Sequence, residues 1–543
     1  MTNYECDLLC VGGGLGGLAA AVRAADLGLE VLILEKSSLI GGVAGYSGGV
    51  VWVGDNHLQQ EVGLEDSAAD VARYLGWAAG DGVAVDEKLR STFIQRAAEA
   101  VAYFHSCGIA FQSTDLPDQY YPDAPGSKAT GRILEVVTAG SALGQWRDYC
   151  RSSPHFRLVG LTHREIKEVG GDLVAGDALS ALHRDRLKND TLTWGPGLVA
   201  GFAVAGLVER GVPIELDARV TELLQVDGKV VGAVADVAGE RVDIRTRRGV
   251  LIATGSYGNA PYAAMLEGLP EIFEASPPVL DGDGLDLTDP TPAGLVRSGQ
   301  AFIILGFESH GERHPGTDVP FYRELSRALG LPHSIVVNKA GDRFGDESFY
   351  GYLLGAVKKY DNATKRFPNY PCFMIGDNRY RRRYGLGDLD EWPHGIAQSD
   401  DLTELAAMLD IDPEGLVQQV ARFNESAENG TDPDFARGSL EYSRLRAGDP
   451  TQTPNPNVGS LREPPFWGLP LKLLGTGIYS MGLLINGDAQ VLTRDRKPVP
   501  GLYATGNTVA YVEQPGYVGG LANARAITYS YLAAGHAAGC TAT

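Results

Sequence analysis

The chain reads as an α/β protein in which one domain is interrupted by another, and three observations say so. First, an apolar strand from Leu8 to Val11 enters Gly12-x-Gly14-x-x-Gly17, an Ala-rich helix follows, and a second apolar strand ends in Glu35, which completes a βαβ unit of Rossmann-like form. Gly12 permits the tight turn, Gly14 lets the backbone approach a pyrophosphate, and Gly17 allows close helix–sheet packing; the helix N-terminus supplies N–H donors and positive dipole. Glu35, with Lys36 beside it, is placed to accept a ribose hydroxyl. Second, Arg248 to Gly255 and Pro500 to Gly506-Asn507 each read as a short buried strand ending in glycine, the form expected where a sheet edge closes around a cofactor. Third, Thr288-Asp-Pro-Thr-Pro-Ala marks a boundary and the Pro- and Asn-rich stretch from Asp449 reads as a linker back. Residues 1–288 and 457–543 therefore form the dinucleotide domain, with an α+β substrate domain inserted at 289–456.

Composition bounds the function. With 543 residues, 44% of them hydrophobic, the chain buries large cores and divides into two domains. A formal charge of -21 argues against nucleic acid or an anionic membrane as partner, and reads as a solvated acidic surface. Cys6, Cys10, Cys107, Cys150, Cys372 and Cys540 show no CxxC pair or metal spacing, so reduced thiols are expected. The longest uncharged run near the start, Leu8 to Val22, is short and broken by glycine. Neither a signal peptide nor a membrane span is expected, and the cytoplasm is the expected compartment.

Between these landmarks, 68–75 and 88–108 have the apolar spacing of helices, and 111–132 is a loop rich in Pro, Asp and Gly. Residues 198–211 are helical in spacing, while 214–220, 229–237 and 241–244 alternate as a strand and hairpin, a three-stranded insertion covering the sheet. In the inserted region 334–338 reads as a strand, and 402–409 and 413–426 as helices.

The glycine-ended strands, with the loop Gly41-Gly42-Val-Ala-Gly-Tyr-Ser47-Gly48-Gly49, resemble FAD proteins of the fumarate reductase and 3-ketosteroid dehydrogenase superfamily. That resemblance implies a Rossmann-like FAD-binding domain of the GR2 type. It makes Gly42, Ser47, Gly48, Gly49, Gly255, Asp283 (in a Gly-Asp-Gly turn), Gly506 and Asn507 cofactor residues beside Gly12, Gly14, Gly17, Glu35 and Lys36. Members that bind FAD covalently do so through a histidine in this loop; none lies between Glu35 and Asn56, so non-covalent FAD is expected. Asp281-Gly-Asp-Gly-Leu-Asp286 lacks the spacing to a terminal bidentate Glu, and no metal is expected.

Three further segments resemble 3-ketosteroid 1-dehydrogenases. Tyr517-Val-Gly519-Gly520 is similar to their Tyr-x-Gly-Pro-Gly, although the proline is missing and the last glycine falls at Leu521. Leu116 to Arg132 resembles their Asp-Tyr…Pro-Gly…Gly-Arg loop and maps Tyr120 onto a catalytic position. Ser334 to Ser348 resembles their Val-Asn-x-x-Gly-x-Arg-Phe-x-x-Glu-Ser segment, which precedes the tyrosine base; here Gly351 stands in that register, between Tyr350 and Tyr352. The resemblance implies that Tyr517 hydroxyl and Gly520 N–H polarise a ring ketone. Tyr350 or Tyr352, assisted by Tyr120, then removes the α-proton, and flavin N5 takes the β-hydride. The substrate implied is a small-molecule cyclic ketone, a 3-ketosteroid first and a smaller ketone such as 4-oxocyclohexanecarboxylate second; an unidentified acceptor takes the electrons. Two rivals remain: an enoate reductase of fumarate-reductase type, using Arg525 as proton donor and His310 and His314 on a carboxylate, and a binding module with a degenerate cofactor site. Arg343 and Glu347 read as a structural ion pair.

Overall fold

The computed structural model describes residues 3–81, 83–156, 158–169, 176–299, 301–386, 389, 392–393 and 395–540, with the side chains of residues 3, 176–178 and 350 outside the description. The chain forms two compact units, one of residues 1–260, 279–301 and 477–543 and one of residues 261–278 and 302–476. The sequence places its breaks at 288 and 456. The units divide elsewhere because 261–278 pairs its strand Phe273–Glu274 with Lys472–Gly475, and so belongs with the inserted segment.

The first unit is built on an eight-stranded sheet. Its labelled elements are β1 (Asn3–Val11), α1 (Leu15–Asp26), β2 (Val31–Leu34), α2 (Ala68–Ala79), α3 (Glu87–Ser106), α4 (Trp194–Ala203), β3 (Ile214–Glu215), β4 (Ala218–Val226), β5 (Lys229–Val237), β6 (Glu240–Ile252), β7 (Gln490–Leu492), β8 (Pro498–Ala504) and α5 (Leu521–Ala537). The order is β7-β8-β6-β1-β2-β3, with β5 beside β6 and β4 beside β5. β8, β6, β1, β2 and β3 run parallel, so their carboxyl ends share one edge of the sheet. β1 and β2 are apolar throughout their paired stretch because both faces of the sheet are buried there, as a parallel sheet requires. The β4–β5 hairpin was expected to cover the sheet. It is also hydrogen-bonded to the sheet: β6, at 13 residues, pairs antiparallel with β5 through its first half while its second half pairs with β8, and the hairpin buries Val220, Leu223, Val230, Ala233 and Ala235 in the same core as β1 and β2.

The second unit holds two four-stranded sheets, ordered Phe273–Glu274, Lys472–Gly475, Ile303–Arg313, Pro320–Glu324 and Ser334–Asn338, Cys372–Gly376, Phe466–Pro470, Ala397–Ser399. Helices Leu402–Leu409 and Pro413–Ala427 pack Leu405, Leu416, Val420 and Phe423 onto Ile335, Val337, Phe373 and Ile375 of the second sheet. Pro413 sits at the first helical position behind an Asp412 cap, where its missing N–H costs nothing. Beside this core Arg343 meets Glu347 at 2.7 Å and Asp432 at 2.9 Å, and Arg437 reaches Glu347 at 3.3 Å, all fully buried. This is the structural pairing the sequence suggests.

Asp346, next to that cluster, accepts from Ser348 N–H and hydroxyl and fixes the turn before the helix Tyr350–Val357. Burial pushes its carboxyl up to about 6. A raised carboxyl pKa means that the ionised form costs folding free energy above about 6, and that this cost fades as pH falls toward the unfolded value of ~3.9. Asp346→Asn keeps an acceptor for Ser348 and removes the charge. It is expected to stabilise the protein by roughly 1–3 kcal/mol at pH 8, with a smaller gain at pH 4.5. Thermal melts at the two pH values check this; a gain independent of pH contradicts it.

Candidate cofactor and ketone site

Glycine turns line the carboxyl edge of the parallel sheet. Gly12 follows β1 at φ 113°, and a Cβ there would stand 2.5 Å from Ala253 O. Gly17 packs α1 against that turn so closely that a Cβ would lie 1.9 Å from Gly12 O. Gly14 caps α1 without a side chain, and a Cβ on it would meet nothing nearer than Gly42 Cα at 4.0 Å. Gly255 and Gly506, at φ 76° and 69°, turn the chain just beyond the ends of β6 and β8. The crevice outside the carboxyl ends of a parallel sheet is where open α/β folds bind ligands.

Glu35 follows β2, buried, and its carboxylate accepts from Gly13 N–H at 2.7 Å and Ser37 N–H at 2.9 Å. It therefore ties the fingerprint turn to the end of β2. Lys36 and Asp283 meet each other at 2.6 Å; Lys36 also holds Asp281 at 2.7 Å, and Asp283 takes Arg219 at 2.6 Å. The loop 41–49 docks on the fingerprint through Gly41 N–H to Gly13 O at 2.9 Å. Within it, Ser47 hydroxyl donates to Ala44 O and accepts from Gly49 N–H, which closes the turn around Gly48. A Cβ on Gly48 would touch nothing within 4 Å, whereas one on Gly49 would stand 2.0 Å from the Trp194 carbonyl carbon. Asn507 amide donates to Gly477 O at 2.8 Å and accepts from Tyr511 hydroxyl at 2.6 Å.

These residues fit a dinucleotide. Gly14, Gly42 and Gly48 expose bare backbone, and Arg151, which is buried, has an Nε without a hydrogen-bond partner among the described residues. Arg151 Nη2 donates to Ser37 hydroxyl at 3.0 Å, and burial lowers its pKa, a cost that an anionic group beside it would relieve. The sequence reading missed Arg151, since it stands in no motif.

The tyrosines of the first unit come together. Tyr120 and Tyr517 meet edge to face with ring centroids 5.2 Å apart. Gly520 caps α5 at φ 84°, its carbonyl accepts from Trp52 N–H at 3.2 Å, and its own N–H has no acceptor among the described residues. Tyr120 adopts φ 72°, an uncommon conformation for a bulky residue. What holds it is a buried scaffold: Asp118 accepts from Trp52 Nε1 at 2.6 Å, Arg132 Nη1 at 3.0 Å and Lys128 N–H at 2.8 Å, and Arg132 pairs with Asp66 at 2.7 Å. Trp52 stacks on Tyr74, whose hydroxyl donates to Gln119 O at 3.1 Å. Burial pushes the Asp118 carboxyl up, against the pull of Arg132.

In the second unit, Tyr350 opens the helix Tyr350–Val357, and its side chain lies outside the described residues. Tyr352 is 53% exposed and packs edge to face on Phe349 at 5.3 Å. His310 is exposed and His314 buried against Phe321, on the strand and turn from 303 to 314. Arg525, on which the reductase reading rests, is 1% exposed, paired with Glu513, and stacked over the Tyr511 ring at 3.7 Å.

Residues 7–520 match the FAD binding domain family. The chain is 32% identical to 4-oxocyclohexanecarboxylate 2-dehydrogenase of Sinomonas cyclohexanicum over 98% of this chain and 93% of that one. It is 30% identical to 3-oxosteroid 1-dehydrogenase of Mycolicibacterium smegmatis, over 98% and 97%. Among solved structures, 3-ketosteroid delta1-dehydrogenase from Sterolibacterium denitrificans, in complex with 1,4-androstadiene-3,17-dione, superposes with a TM-score of 0.86 at 28% identity, covering 99% of this chain and 100% of that one. No helix among the described residues is long and apolar enough to cross a membrane.

Glu35→Ala is expected to lower flavin occupancy after dialysis, because it removes an acceptor and releases the Gly13 turn together. Trichloroacetic acid is expected to release all of the flavin, as the loop offers no histidine; flavin remaining in the precipitate contradicts this.

Proposed function

The chain belongs to the FAD binding domain family and is an FAD-dependent oxidoreductase that dehydrogenates CH–CH groups of cyclic ketones, and on that premise we propose the residues and the substrate. Gly12, Gly14, Gly17, Glu35, Gly42, Ser47, Gly48, Gly49, Gly255, Gly506 and Asn507 hold FAD, and Lys36 and Asp283 support it by tying the turn at Gly282 to the end of β2. The observations that carry this reading are the edge-to-face Tyr120–Tyr517 pair and, three residues on from Tyr517, the Gly520 N–H that has no acceptor among the described residues.

Removing a hydrogen α to a ketone builds negative charge on the carbonyl oxygen, so donors aimed at that oxygen act most strongly in the transition state. Tyr517 hydroxyl and Gly520 N–H are such donors, and the positive end of α5, with no acidic residue in its first turn, adds to them. Tyr350 takes the α-proton, with Tyr352 as the other candidate. A tyrosine with an ordinary pKa of ~10 needs help to serve as base, and that assisting role is the one we give Tyr120. Bound FAD supplies the acceptor for the β-hydrogen and its electron pair. The bonds broken are the two C–H bonds and the bond formed is the C=C of an α,β-unsaturated ketone.

The substrate we propose is a 3-ketosteroid, desaturated at positions 1 and 2, supported by the structural likeness to an enzyme solved with a steroid dienone. A second reading, 4-oxocyclohexanecarboxylate, is supported by the 32% identity to a dehydrogenase of that acid. Anaerobic bleaching of the flavin by each compound separates the two.

Tyr517→Phe is expected to slow flavin reduction by the ketone roughly 10²-fold or more while leaving flavin content intact, as loss of an oxyanion donor does. Tyr350→Phe is expected to be at least as damaging and Tyr352→Phe mild; the reverse order moves the base by two positions. A Tyr517→Phe enzyme as fast as its parent, with Arg525→Ala abolishing activity on an unsaturated acid, restores the enoate reductase reading.

A further inference from the structure

The segment Glu513–Arg525 carries both proposed ketone donors, and a buried ion pair closes it. Glu513 stands immediately before the loop 514–520, Arg525 lies on α5 a turn past its Gly520 cap, and each side chain is 1% exposed. Arg525 also donates from Nη2 to Ala510 O at 3.0 Å, and its guanidinium lies 3.7 Å from the Tyr511 ring centroid. Tyr511 hydroxyl donates to Asn507 Oδ1 at 2.6 Å. Arg90, from α3, anchors the other side by donating from Nε to Glu513 O at 2.9 Å. One contiguous chain of contacts thus runs from Asn507, assigned to the flavin, through Tyr511 and Arg525 to the two ends of the ketone loop.

The pair is poorly made as a source of stability. Burial works against the charge of Arg525, and the Glu513 carboxylate more than offsets it, which leaves its pKa raised. Yet Arg90 Nη2, Glu513 Oε2, Gln514 Oε1, Arg525 Nη1 and Tyr529 hydroxyl are all buried without a hydrogen-bond partner among the described residues. Well-packed apolar side chains often match or exceed a buried ion pair in stability, whereas a pair fixes one arrangement of the groups around it. Unfilled hydrogen-bond capacity on both partners makes the stability argument weaker still.

We propose that Glu513 and Arg525 are positioning residues that set the Tyr517–Gly520 donors at a fixed distance from the flavin site at Asn507. The proposal rests on the ketone desaturase reading. Neither residue touches the reacting atoms. Their effect is on how well the bound ketone is aimed, to which rate is more sensitive than affinity: a misplacement of about 1 Å can cost ~10² in rate.

The test uses the holoenzyme and whichever ketone bleaches the parent flavin. Glu513→Gln, Arg525→Lys and the double variant Glu513→Gln/Arg525→Gln are compared; the double variant leaves no unpaired buried charge and guards against a single variant that does not fold. Three quantities are read: flavin content, the limiting rate of flavin reduction with its half-saturating ketone concentration, and solvent exchange of the ketone α-proton. The expected result is full flavin content, a limiting rate lower by roughly tenfold or more, α-proton exchange lower by the same factor, and a half-saturating concentration changed much less. Arg525→Lys is expected to keep more of the rate than Glu513→Gln. A double variant with full flavin and the parent rate overturns the proposal, as does loss of flavin in proportion to the loss of rate, which places the pair's role in cofactor retention. Failure of every ketone to bleach the parent refutes the desaturase reading itself, before any variant is compared.

Discussion

The donor half of the proposed ketone site depends on one buried carboxylate. Asp118 lies inside the protein at 1% exposure, where an unpaired charge is untenable, and it is held there by the Trp52 indole, the Arg132 guanidinium and the Lys128 amide. Each bond fixes something else. Trp52 carries the N–H that holds Gly520 O, Arg132 brings Asp66 and the segment before α2, and Lys128 closes the loop that began at Asp118. Tyr120, two residues on from Asp118, is thereby forced to φ 72° and onto Tyr517. Strain of order 1–3 kcal/mol persists only where surroundings over-determine it, and here they do.

The same economy explains which parts were legible in the sequence. The glycine fingerprint was legible because its constraint is local: a Cβ on Gly17 collides with Gly12, five residues away in the chain. The strand at 334–338 was legible as a short run buried at every residue, and the helix at 402–409 from the spacing of its apolar residues. Tyr120, Tyr517 and Gly520 were proposed through resemblance, and the structure sets the Tyr120 and Tyr517 rings edge to face. Their scaffold was not found. Asp118, Trp52 and Asp66 belong to three segments whose pairing is set by tertiary contacts, and no spacing rule connects them. The unit boundary missed for a related reason: 261–278 has no signal of its own, and a two-residue strand decides where it belongs. The hairpin at 218–237 was legible as strands from its alternation, whereas its pairing onto β6 is set by tertiary contacts.

Arg525 and the helix it sits on bear on the choice of chemistry. A proton donor for reduction of an unsaturated acid has to reach substrate, and a guanidinium enclosed by Glu513, Ala510 O and the Tyr511 ring does not. Its charge is already balanced by Glu513. In the proposed mechanism the positive potential offered to a developing oxyanion comes from the backbone at the start of α5, where Gly520 has an N–H without an acceptor among the described residues and the first turn holds no acidic residue. Backbone donors suit an enolate: they are uncharged at rest and need no reorganisation when charge appears on the ketone oxygen. The loop therefore needs glycine at its cap for two separate reasons, the φ of 84° and the closeness of Trp52, where a Cβ would stand 2.9 Å from the amide nitrogen. Any side chain at position 520 would move the donor, the Trp52 contact and, through Trp52, Asp118 together, so the residue that exposes the N–H also closes the scaffold behind it.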